Sequence, residues 1–78
     1  MNSRPVFVGV DIGASRTKVA VLDSAKRLIG YAVSKSGNDF SAAAENCLAV
    51  SLAMANASRE EIFASISTGY GRRNISFA

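Results

Sequence analysis

The stretch Gly9-Val10-Asp11-Ile12-Gly13-Ala14-Ser15-Arg16-Thr17-Lys18 decides how this chain folds. Val6, Val8, Val10 and Ile12 alternate with Phe7, Gly9 and Asp11. A strand therefore enters the stretch with both faces largely apolar, the pattern of a central strand. Gly13 breaks it, and residues 17–23, β-branched and apolar, leave as a second strand. Between them a carboxylate, bare turn amides, two hydroxyls and a cation fall close together. That is the chemistry that holds a polyphosphate with its metal ion.

A hairpin centred on Ala14 sets Gly13 opposite Ser15 and Asp11 opposite Thr17. Strand side chains alternate with period two, so Asp11 and Thr17 share a face in this register and Lys18 lies on the other, beside Val10. Gly13 permits positive φ and a close approach of phosphate to backbone. Successive turn amides can form an anion nest, and Ser15 and Thr17 add hydroxyl donors. Asp11 repels phosphate, so its role in such a site is to hold Mg²⁺, through water, because Mg²⁺ keeps much of its hydration shell. The same residues also suit an ordinary hairpin turn, and local chemistry leaves both readings open. A strand follows the turn, so this is neither a P-loop nor a dinucleotide fingerprint, and no helix dipole assists.

Working outward, residues 27–34 read as a third strand, and the short connections make an antiparallel meander. Ser36-Gly37-Asn38-Asp39 breaks the pattern, with Asn38 or Asp39 as a helix cap. A helix over residues 40–56 carries Ala44, Cys47, Leu48, Ser51, Leu52 and Ala55 on one apolar face of small side chains, suited to lying close on a sheet. Ser58-Arg59-Glu60-Glu61 matches a capping box, but strand residues follow so soon that it caps a single turn. Residues 62–67 form a fourth strand, ending in a second glycine turn, Thr68-Gly69-Tyr70-Gly71-Arg72. The order is β-β-β-α-β. The helix acts as a crossover, so the fourth strand lies parallel to the first. The expected fold is α/β, a mixed sheet in order 3-2-1-4 with one helix on one face.

The 78 residues make at most one small domain, 49% apolar and 19% charged, a globular composition. The net charge of +3 is a small excess carried largely by Arg72-Arg73 and by Arg16 with Lys18, too few for a nucleic-acid tail. Cys47 is the single cysteine, which excludes an intrachain disulfide and fits a cytoplasmic setting. Among alanines on a helix it reads as a small core residue. No secretory signal and no membrane span are expected. There is no histidine, so no Ser/His or Cys/His nucleophile system exists. Tyr70 is expected to pack on the sheet, Arg72 and Arg73 to be solvated, and Glu60 and Glu61 to favour a helix start.

Two motifs together carry a family resemblance. Val8 to Lys18 resembles the first phosphate motif of the actin-like ATPase superfamily, which includes acetate and sugar kinases and heat-shock chaperones. With Ser67-Thr68-Gly69-Tyr70-Gly71-Arg72 about fifty residues later, the chain is similar to the ATPase activators of 2-hydroxyacyl-CoA dehydratases and the related ATPase subunits of benzoyl-CoA reductases. The resemblance spans nearly the whole chain. It implies an ATPase fold of the ribonuclease H-like, actin-like type, of which residues 1–78 would be the N-terminal part. In that family ATP hydrolysis drives an electron from a [4Fe–4S] cluster, shared across a homodimer, onto a partner dehydratase or reductase. By resemblance Asp11 serves as the catalytic and Mg²⁺-bearing residue at the metal–phosphate end. Gly13, Ala14, Ser15 and Thr17 form the phosphate hairpin, Lys18 is the family's lysine, and Thr68 and Gly69 belong to the second motif. Ala14 and Arg16 replace a small hydroxyl residue and a frequent threonine, changes that spare the turn's backbone. The family's second phosphate motif, adenosine pocket and cluster cysteines lie beyond the matched part, so ATP turnover by this chain alone is not expected, and its incomplete domain is expected to leave apolar surface open to self-association. A non-catalytic interaction module on the same scaffold and a fragment of a sugar- or acetate-type kinase are the alternatives.

Overall fold

The computed structural model describes residues 4–69, with side chains as far as Ser67. Tyr70, Arg72, Arg73, Ile75 and Phe77, and the expectations attached to them, lie outside the described residues. Strands β1 (Val6–Ile12), β2 (Arg16–Leu22) and β3 (Leu28–Lys35) precede helix α1 (Phe40–Ala55), a single 3-10 turn (Arg59–Glu61) and strand β4 (Ile62–Gly69). The sheet order is β3-β2-β1-β4. β1 pairs antiparallel with β2, β2 antiparallel with β3, and β1 parallel with β4. The expected order, crossover and mixed sheet are all present.

Each strand earns its place by period-two burial. Val6, Val8, Val10 and Ile12 of β1 and Thr17, Val19 and Val21 of β2 are buried. They meet Ala44, Cys47, Leu48, Leu52 and Ala55 of α1 in one core. Residues 30, 32 and 34 of β3 continue that face. Small side chains let the helix sit down hard on the sheet, and Gly30 takes this to its limit. A Cβ there would come within 2.1 Å of the Ser51 carbonyl oxygen. Ser51 is fully buried, and its hydroxyl donates back to the Cys47 carbonyl at 2.7 Å.

The ends of the elements follow from local chemistry. The Asp39 carboxylate accepts from the Ala42 amide at 3.0 Å and caps α1, while Asn56 ends it in the left-handed region at φ 55°. The Glu61 carboxylate accepts the Ser58 amide at 2.9 Å, the reciprocal half of the capping box. The β2–β3 turn is tied by Asp23, which accepts the Arg27 and Ala25 amides and the Arg27 guanidinium, each at 2.9 Å. The Arg27 amide is the leading cause that holds the Asp23 carboxyl below its ordinary range, with the Arg27 side chain and the Ala25 amide adding to it against partial desolvation.

The second face of the sheet is open among the described residues, as a single helix on one face implies. β1 is patterned for layers above and below, yet among the described residues only one layer, α1, is present. Tyr31, Val33, Phe63 and Ile66 stand exposed on the sheet away from the helix or at its edge, and Phe63 meets Phe7 edge-on with ring centroids 5.7 Å apart.

Candidate functional site

The turn between β1 and β2 is centred on the Ala14–Ser15 bond and not on Ala14. The Gly13 amide donates to the Arg16 carbonyl at 2.8 Å, leaving Ala14 and Ser15 as a two-residue loop. Ile12 therefore faces Thr17, and Asp11 faces Lys18. This corrects the expected register in both respects: Asp11 and Thr17 lie on opposite faces, and Lys18 shares the face of Asp11. The physical reason is burial. Thr17, Val19 and Val21 together are the face of β2 that α1 covers, and a one-residue slip would turn all three out to solvent. A second correction concerns the backbone. Gly13 is outside the left-handed region, as are Ala14 and Ser15. What Gly13 supplies is room, because a Cβ there would crowd the Arg16 carbonyl oxygen at 3.2 Å.

Thr17 is fully buried, so its hydroxyl is turned into the protein. It meets the Ser36 hydroxyl at 2.8 Å, and Ser36 in turn donates to the Gly13 carbonyl at 2.8 Å. The Ser36 amide donates to the Ser15 carbonyl at 2.9 Å. Sequence reading took Ser36 only as the start of a strand break. The signal that could have found it is the alternation of β3: positions 30, 32 and 34 face the helix, and 36 continues the series.

On the open face the strands line up in rows. Asp11 of β1 lies between Lys18 of β2 and Thr68 of β4. One row down, Gly9 lies between Ala20 and Ile66, and Ala20 is followed by Tyr31 of β3. Gly9 and Ala20 thus form a low floor between Tyr31 and Ile66. The result is an open trough of about 330 Å³ with Asp11 and Lys18 at one end. Among the described residues neither charge is in an ion pair. The Ala14 and Ser15 amides, on the exposed loop beside them, donate to no protein acceptor among those residues. Gly69 pairs with Ile12 through the backbone, which brings the start of the second glycine motif alongside the first.

This arrangement can offer an anion two free amides and an ammonium, with a carboxylate a strand away to carry a hydrated cation. No group of three or more His, Cys, Asp or Glu gathers among the described residues. Cys47 is in the core, 2% exposed, with its sulfur beside the Ser34 hydroxyl at 3.2 Å. A single buried thiol does not fit an iron–sulfur cluster, which several thiolates must hold.

The sheet and its crossover helix have the architecture of part of an actin-like domain. Solved structures agree. Component A of the (R)-2-hydroxyglutaryl-CoA dehydratase of Acidaminococcus fermentans matches with a TM-score of 0.77 at 23% identity, over 88% of this chain and 26% of that one. The activator of the 2-hydroxyisocaproyl-CoA dehydratase from Clostridium difficile with bound ADPNP matches with a TM-score of 0.77 at 26% identity, over 91% of this chain and 26% of that one. The chain carries the fold of the dehydratase activators, as its two motifs led one to expect, and spans about a quarter of the length of these structures. No family model matches the chain, and no curated protein does. No helix among the described residues is long and apolar enough to cross a membrane.

Proposed function

We propose that this chain is the ATP-binding portion of an activator that drives electron transfer to a 2-hydroxyacyl-CoA dehydratase or a benzoyl-CoA reductase. One observation carries the reading. The free Ala14 and Ser15 amides, Asp11 and Lys18 come together on a fold matched by an activator solved with ADPNP bound. The amides and Lys18 would hold the phosphates. Asp11 would carry Mg²⁺ through water, and Thr68 and Gly69 would bring up the second loop. Thr17 would support the turn from within. ATP, when bound, supplies a phosphoryl group for transfer to water, a reaction in which the protein's share is positioning and electrostatics. The [4Fe–4S] cluster, the homodimer and the acyl-CoA enzyme belong to the longer family protein, and this chain's lone cysteine supplies no cluster.

Titration with Mg·ATP, followed by the amide resonances of residues 13–18, tests the reading. The wild-type chain should show saturable shifts that need Mg²⁺. Asp11→Ala should weaken the Mg²⁺-dependent binding at least about tenfold, about 1.4 kcal/mol. Neither protein should hydrolyse ATP. Turnover that depends on Asp11 would overturn the expectation of an incomplete site, and an absence of shifts would remove the nucleotide reading. A second reading, a non-catalytic interaction module, is favoured by the uncovered apolar face. Partner capture that ignores both nucleotide and Asp11→Ala would select it.

A further inference from the structure

We infer that Ser36 is a positioning residue for the 13–17 turn, an assignment that rests on the reading of that turn as a phosphate site. A serine hydroxyl has one proton to give. Ser36 gives it to the Gly13 carbonyl at 2.8 Å, so at the second 2.8 Å contact Thr17 is the donor and Ser36 the acceptor. The Ser36 amide takes the Ser15 carbonyl at 2.9 Å. One residue past the end of β3 therefore grips the turn at three points: where β1 ends, in the loop, and where β2 begins. Ser36 and Thr17 are 3% and 0% exposed, so the bond between their hydroxyls is shielded from water.

The consequence is a sorting of backbone dipoles. The Gly13 and Ser15 carbonyls are taken by Ser36, and the Arg16 carbonyl by the Gly13 amide. A free carbonyl repels an anion, and these three are occupied. The amides left over are those of Ala14 and Ser15, which attract one. A turn fixed in this state beforehand loses less freedom when a ligand arrives. Ser36 touches no ligand in this scheme. It acts through the turn.

The experiment uses the whole chain, ¹⁵N-labelled, as wild type, Ser36→Ala, Ser36→Thr and Thr17→Val. Backbone relaxation of residues 13–16 is measured without ligand, and Mg·ATP and Mg·pyrophosphate are then titrated in. Ser36→Ala should increase fast motion at the turn, leave the strand amides unchanged, and weaken binding of both probes about tenfold. Ser36→Thr, which keeps a hydroxyl, should recover turn order and most of the affinity, a rescue that a purely packing role would not produce. Thr17→Val keeps the volume and removes the donor. It should move in the direction of Ser36→Ala, and it decides the matter if Ser36→Ala does not fold. A turn equally ordered without the Ser36 hydroxyl, or affinities within about twofold, would overturn the inference. If the wild type binds neither probe, the phosphate reading falls and takes the ligand half of this inference with it. The ordering half is still decided by relaxation.

Discussion

Gly30 of β3 and Gly9 of β1 lie in one sheet with β2 between them, yet a methyl group means opposite things at the two positions. At Gly30 it would collide with the Ser51 carbonyl, backbone atoms that cannot swing aside. At Gly9 nothing lies within 4 Å of it. Gly30→Ala should therefore lower stability by about 1–3 kcal/mol, the range for overpacking a tight interior. Gly9→Ala should be neutral or slightly stabilising, because alanine loses less chain entropy on folding. Urea midpoints of the two variants check this. Equal midpoints would mean that α1 does not rest on Gly30. Residue chemistry was only partly legible in the sequence. Small residues on the helix forecast close packing, but which glycine received the helix depends on which face of β3 turns inward. The polar residue Ser36 was harder still, since its partners at Gly13, Ser15 and Thr17 are distant in sequence.

At the scale of elements, local signals carried far. Alternation in β1 and β2, the 3.6-residue spacing of α1 and the capping box at Ser58 each placed an element within a residue or two of its observed bounds. What they left undetermined was register, which a one-residue difference in loop length controls. Moving the centre of the hairpin from Ala14 to the Ala14–Ser15 bond exchanged the faces of Thr17 and Lys18, so the site gained its lysine and lost a hydroxyl. The start of α1 offers a direct check. Asp39 accepts the Ala42 amide, and no acidic residue occupies the helix's first turn to share the task. Asp39→Ala should cost about 1 kcal/mol, with amide exchange accelerated first at residues 40–43. Exchange unchanged there would show that the helix start is held by its packing alone.

At the scale of the molecule, the described residues have one covered face and one open face. α1 seals the first. On the second, Ile66 is 69% exposed and Phe63 75% exposed. Large apolar side chains grouped in this way mark a surface that normally meets something. The chain should therefore bind an apolar fluorescent dye and sediment faster as concentration rises. Phe63→Ser and Ile66→Ser should each reduce the dye signal by about half or more with little loss of helix content. A monomer at all concentrations with no dye signal would count against an open face. Overall topology was readable before the structure because a helix between two strands of one sheet leaves few arrangements. The bare face was expected from the single helix and the family resemblance, and not from β1 itself, because a strand patterned for two covering layers looks the same whether or not the second layer is present.

The parallel pairing of β1 with β4 also imposes an order in time. β1, β2 and β3 are joined by short turns and can zip together as neighbours. Val6 meets Ile62 only after the chain between them has been gathered in, and closing so long a loop has an entropic cost that no early contact offsets. β4 is thus expected to be the last strand to dock. Because it carries Thr68 and Gly69 to Asp11 and Ile12, the start of the second motif is expected to reach the first only when β4 docks. Until then the chain has a hairpin, but no site.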